Sequence, residues 1–301
     1  MSPALIRKVR EPMGREFGSQ SMVAPLRKVL VRRPDRAFAV DDPAKWSYAG
    51  RPDLEKAQHE HDAFTSILKK AGVDVVFHDV AQPDRADSIF VYDPAIVTDR
   101  GAVILSMGKE LRRGEEAALA ARLSELGVPI FASLRGSGRA EGGDLLWVDH
   151  DTLAVGQGFR TNADGFRQLR RALRPLGVVT IPVDLPYFHG PQACLHLMSL
   201  ISVVDDDLAV IYPPMFPVPL WKELKERGFD LLEVPDEEFR TMAPNVLALA
   251  PRHVVLLRGN PVTASRLEAS GSRVETYVGD ELSLKAEGGP TCLTRPILRE
   301  Y

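Results

Sequence analysis

A thiol, an imidazole, four carboxylates and a guanidinium stand in this sequence in settings where each could act on a substrate. Cys292 follows two glycines, a proline and a threonine in AEGGPTCLTRP (286–296). Glycine admits backbone conformations that other residues avoid, and Pro290 fixes the approach, so the turn either buries a small apolar side chain or aims a thiol into a pocket. His196 lies in the apolar run QACLHLMSL, Glu141 and Asp144 flank a glycine pair in EGGD, and Asp87 and Asp93 bracket DSIFVYD, which reads as a short apolar strand. Arg160 follows a strand in GFRTN, where its planar fork is suited to gripping a carboxylate. Each also has a plain structural role open to it: a core histidine, a solvated turn, a surface ion pair.

The composition removes several function classes. The 301 residues are 45% hydrophobic with a net charge of -3, an ordinary globular balance that gives no support to a nucleic-acid partner. The basic runs KELRR (109–113) and RRALRP (170–175) read as solvated helix faces. Two cysteines, Cys194 and Cys292, form neither a metal-ligand spacing nor a disulfide framework. No secretory core opens the chain and no run is long enough to cross a membrane, so free thiols in a cytoplasmic setting are expected.

The elements that must position these groups alternate. β-rich runs occur at 27–33, 73–77, 101–106, 144–149, 152–156, 178–184, 207–213, 253–259 and 273–279, with helix-period stretches at 53–71, 114–126, 164–174, 218–227 and 261–270. Asp53, either Asn162 or Asp164, and Thr263 read as helix N-caps. The alternation is that of an α/β protein, and units of about fifty residues suggest a radial or stacked repeat. VLVRRPDRAF, after the first strand, lacks the glycines of a dinucleotide-binding turn.

The order of the motifs is more specific than any one of them. DSIFVYD, EGGD, RTN, HL and GGPTCLTRP, in that sequence, resemble the guanidine-modifying or pentein superfamily, which includes dimethylarginine dimethylaminohydrolases, arginine deiminases and amidinotransferases. The resemblance spans about residues 22–300. It implies a five-bladed α/β propeller with its active site in the central channel: an N-terminal arm, 1–21, and one catalytic domain, 22–301. It also implies Cys292 as the nucleophile, His196 as acid and base, Glu141 and Asp93 on the substrate guanidinium, Asp87 and Asp144 as further anchors, and Arg160 on an α-carboxylate. A cationic substrate would help ionise the thiol, and an activated Cys292 is expected to alkylate rapidly, ahead of Cys194. No metal or organic cofactor is implied; the partner is a small guanidino substrate, and a homo-oligomer is compatible.

Two departures bear on the substrate. Arginine deiminases and amidinotransferases typically carry His-x-Asp, whereas this chain has Met198 at that place, as expected for a substrate with an alkylated nitrogen. Tyr92 stands where dimethylarginine dimethylaminohydrolases often have an acid. The implied activity is therefore hydrolysis of an Nω-methylated arginine to citrulline and an alkylamine. The alternatives are a deiminase, dihydrolase or amidinotransferase activity, or a catalytically silent binding protein.

Overall fold

The computed structural model describes residues 14–301. Five three-stranded sheets make up the fold, each mixed in direction. In four of them the chain follows one recipe. An inner strand turns back antiparallel into a middle strand; a helix then carries the chain over to an outer strand parallel to the middle one. The four sets are Ala95–Thr98, Gly101–Ile104, Ile130–Ser133; Leu145–Asp149, Thr152–Gln157, Val179–Asp184; Ile201–Asp205, Leu208–Ile211, Asp230–Glu233; and Leu247–Ala250, His253–Leu257, Arg273–Tyr277. The fifth is assembled from both ends of the chain. Leu26–Val31 pairs parallel with Asp74–Phe77 and antiparallel with Thr294–Arg299, so the last strand closes the ring. The result is a five-bladed α/β propeller.

Burial falls from inner to outer strand. Ala95–Thr98 and Gly101–Ile104 are buried throughout, whereas both ends of Ile130–Ser133 are exposed. The crossover helices cover the blades with one apolar stripe each. In Leu54–Lys70 the stripe is Ala57, His61, Phe64 and Leu68; the Asp53 side chain caps the first turn through Lys56 N, and Gly72 at φ 83° follows its end. Asn162 rather than Asp164 caps the helix Ala163–Leu173, accepting from Gly165 N at 2.8 Å. Thr263 is not a cap: the helix is Pro261–Ala269, and buried Thr263 is held by Glu238.

Six strands escape the sequence pattern: 95–98, 130–133, 201–205, 230–233, 247–250 and 294–299. Four of these are inner strands, short and buried on both faces, which therefore show no alternation. The last even contains Pro296, tolerated because this strand lies at the edge of its sheet. The DSIFVYD segment is also not a strand: Ala86–Ile89 is a turn of 3-10 helix, and the strand begins at Ala95. Of the expected arm, residues 1–13 lie outside the described residues. Gly18 lies alongside the last strand, donating to Ile297 O and accepting from Arg299 N, both at 2.8 Å.

Candidate active site

Each blade delivers a polar side chain from the loop just ahead of its inner strand. Asp93 precedes Ala95–Thr98, Glu141 precedes Leu145–Asp149, His196 precedes Ile201–Asp205, Asn245 precedes Leu247–Ala250, and Cys292 precedes Thr294–Arg299. Quasi-equivalent positions about fifty residues apart thus send a carboxylate, a second carboxylate, an imidazole, an amide and a thiol from five directions. Asn245 escaped the sequence reading. Its Nδ2 donates to Cys292 Sγ at 3.3 Å and its Oδ1 accepts from Thr291 N at 3.1 Å, so it fixes both the thiol and the turn that carries it. The repeat spacing, counted on from His196, is the signal that would have found it.

The Gly-Gly-Pro-Thr turn needs its glycines for space rather than for backbone conformation. A Cβ on Gly288 would lie 2.0 Å from the Phe90 ring, and one on Gly289 would lie 2.5 Å from the Asn245 side chain. The left-handed residue is Glu287, at φ 58°. Cys292 itself remains partly exposed. Burial first, and then the charge of Asp93, push its thiol up to about 11 against the pull of His196 and Asn245. The free protein therefore holds Cys292 protonated at neutral pH.

His196 Nε2 and Glu141 Oε2 are 2.7 Å apart and both residues are buried. Burial alone would lower the pKa of His196, but the neighbouring Cys194, Asp93 and Glu141 outweigh it and raise that pKa well above its ordinary value. Burial likewise works against the Glu141 carboxylate, and is overcome by the imidazole and by Arg160 and Arg112, so the proton of the pair sits on the imidazole. The second oxygen of Glu141 accepts from Lys109 N at 2.8 Å. Cys194 Sγ stands 3.7 Å from His196 Nδ1. Gly143 admits the ring: a Cβ there would lie 2.3 Å from Nδ1.

Asp93 is held at both oxygens, by Gly143 N at 2.9 Å and by Arg112 Nη1 at 2.5 Å. Arg112 also pairs with Glu115 at 2.8 Å and lies fully inside, so KELRR is not a purely solvated face. Only RRALRP meets that expectation, with Arg170, Arg171 and Arg174 exposed. Asp144 is buried and braces the backbone, accepting from Thr161 Oγ1 at 2.6 Å and from Leu197 N at 3.0 Å; burial raises it to about 6. Asp87 accepts from Lys109 Nζ at 2.6 Å and from Tyr48 OH at 2.9 Å, so a substrate cation reaching Asp87 meets a resident ammonium. Arg160 lies 3.9 Å from Glu141 and donates to Ala193 O at 3.3 Å. Met198 is buried in the main apolar cluster. Asp93, Glu141 and His196 each bring one donor atom within 4.8 Å of the others, a set with the right atoms for a cation, but all three already have partners within the protein.

A thiol, an imidazolium–carboxylate pair and a further carboxylate brought together from successive blades could attack a carbon inside a cationic group. The family described as N,N dimethylarginine dimethylhydrolase, eukaryotic, matches residues 44–298. The chain belongs to this dimethylargininase family. It is similar to the N(G),N(G)-dimethylarginine dimethylaminohydrolase of Streptomyces coelicolor, 32% identical over 277 residues that cover 90% of this chain and 96% of the relative. It is also similar to the enzyme of the same name from Pseudomonas aeruginosa, 28% identical over 268 residues, 88% of this chain and 97% of that one. A solved mutant of the Pseudomonas aeruginosa enzyme, complexed with citrulline, superimposes with a TM-score of 0.76 at 26% identity, covering 90% of this chain and 99% of that structure. The dimethylargininase family lies within the pentein superfamily, and its members are guanidino hydrolases. Among the described residues, no helix is long and apolar enough to cross a membrane.

Proposed function

We propose that the protein hydrolyses a guanidino compound through Cys292, and that the substrate is an Nω-methylated arginine. The observation that carries this is the convergence of Cys292, Asn245, His196, Glu141 and Asp93 from five successive blades. The substrate guanidinium lies against Asp93 and Glu141, and its charge ionises the thiol that the free protein keeps protonated; since His196 already carries its proton, the thiol proton leaves to solvent. The Sγ lone pair bonds to the central carbon. His196, already an imidazolium, gives its proton to the leaving alkylamine as the C–N bond breaks. The neutral imidazole then takes a proton from water, whose oxygen bonds to the same carbon. The C–S bond breaks with its electron pair going to sulfur, and the hydroxyl of the tetrahedral adduct passes its remaining proton to that thiolate. Citrulline leaves with the thiol and the imidazolium restored. Asn245 steadies the sulfur throughout. Arg160 holds the α-carboxylate, and Met198, standing in the sequence where an acid would grip a free guanidinium nitrogen, is read as favouring an alkylated one. In this account residues 22–301 act as one catalytic domain.

The test is a product assay with asymmetric dimethylarginine, arginine and agmatine in parallel. Citrulline with dimethylamine is the expected outcome. Ammonia from arginine would keep the cysteine mechanism and discard the role given to Met198. Absence of turnover together with a Cys292 that still labels slowly when an amidinium is bound would favour a silent binding protein.

A further inference from the structure

Beside the Cys292 turn lies a cluster that the chemistry above does not use. Arg295 and Arg299 stand four residues apart on the last strand, on the same side of its pleat, with exposures of 3% and 2%. Arg299 donates to Ala24 O at 2.6 Å and to Ala248 O at 2.8 Å, which leaves its Nε without a partner. Arg295 Nε and Nη2 have none either, and its guanidinium lies 3.8 Å from the centroid of the Tyr92 ring. Neither arginine forms an ion pair among the described residues. Tyr92 supplies no counter-charge, since burial raises its pKa and its hydroxyl points to Met22 Sδ at 3.7 Å. Two buried cations thus face carbonyls, the Tyr92 ring and hydroxyl, and each other. Among the described residues the only carboxylate acting on Arg295 is Asp93, already paired with Arg112. Such an arrangement costs several kcal/mol per charge unless an anion offsets it.

Both guanidiniums line a small cavity together with Ser19, Ser21, Tyr92 and Thr291. The Ser21 hydroxyl oxygen accepts from Val23 N and Ala24 N, so its own proton is free to turn inward. Met22, Trp147, Val246, Leu247, Ala248 and Pro296 complete the wall, largely apolar, and the room is that of one water-sized species. We propose that this cavity binds a small monovalent anion, such as chloride, between the guanidiniums of Arg295 and Arg299. A water there supplies lone pairs but no charge; a doubly charged, strongly hydrated sulfate is too large. The anion holds the closing strand against the Cys292 turn, whose carbonyl accepts from Tyr92 N at 3.3 Å.

Thermal unfolding of the full-length protein tests this, in sodium chloride, sodium bromide and sodium gluconate at equal ionic strength. A saturable rise in Tm of several degrees is expected in chloride and bromide but not in gluconate. Tyr92→Glu supplies an internal carboxylate and should abolish that halide dependence; wild-type-like dependence in this variant would overturn the assignment. Anomalous scattering from crystals of the wild-type protein grown in bromide is expected to place the ion between Arg295 and Arg299. A Tm that follows ionic strength alone, or no bromide at the two guanidiniums, would overturn it whether or not the variant folds.

Discussion

Cys292 is expected to be a poor nucleophile until a cation arrives, and the size of the change follows from its surroundings. With the thiol pushed up to about 11, roughly one molecule in a thousand is ionised at pH ~8, against about one in ten at the ordinary value of 9.0. A guanidinium about 4 Å from the sulfur, at an effective dielectric of about 20, favours the thiolate by about 4 kcal/mol, or about three pH units. The thiol should therefore titrate near pH ~8 with the cation bound. The assay follows thiolate ultraviolet absorbance against pH, with and without an unreactive alkyl amidinium, and iodoacetamide labelling of the Cys292 peptide by mass spectrometry. In the free protein labelling should be slow and rise only in strongly alkaline solution, the opposite of the rapid labelling expected from sequence. Asp93→Asn should move the free-protein midpoint down, because it removes a negative charge that disfavours the thiolate. An ordinary thiol midpoint in the free protein, unmoved by the amidinium, would refute this reasoning.

Other substitutions probe the remaining parts. Cys292→Ser should abolish turnover with Tm little changed. His196→Ala should abolish release of alkylamine yet leave a covalent adduct, visible as added mass on the Cys292 peptide, with an analogue whose alkylthiolate leaving group needs no proton. Arg112→Leu leaves buried Asp93 and Glu115 without their cation, so denaturant unfolding should show a loss of about 3–5 kcal/mol. Gly143→Ala places a methyl group against the His196 ring; kcat should fall at least tenfold with the fold retained by circular dichroism. Arg160→Ala should raise KM about tenfold for substrates bearing an α-carboxylate and leave that for agmatine nearly unchanged.

Much of the protein was legible in its linear order. Cys292, His196, Glu141 and Asp93 were picked out by residue type and by motif sequence, because a thiol behind Gly-Gly-Pro and a glycine-flanked acid are local features. Amphipathic helices such as Leu54–Lys70 were legible for the same reason: half of each faces solvent and half the core, which prints a period on the sequence. The inner strands were not, since residues buried on both faces carry no alternation.

What only the tertiary structure decided is partnership across blades. Asn245 looks like any loop asparagine until the fold sets it 3.3 Å from the sulfur. Arg112 looks like surface charge until Asp93 and Glu115 enclose it. The same holds for Asp87, whose carboxylate is already met by Lys109, and for the thiol, whose ionisation depends on burial and on charges from other blades. Residue type declares which chemistry is available and travels with the sequence. Charge state and pairing depend on distance and desolvation, and those exist only once the last strand has closed the ring.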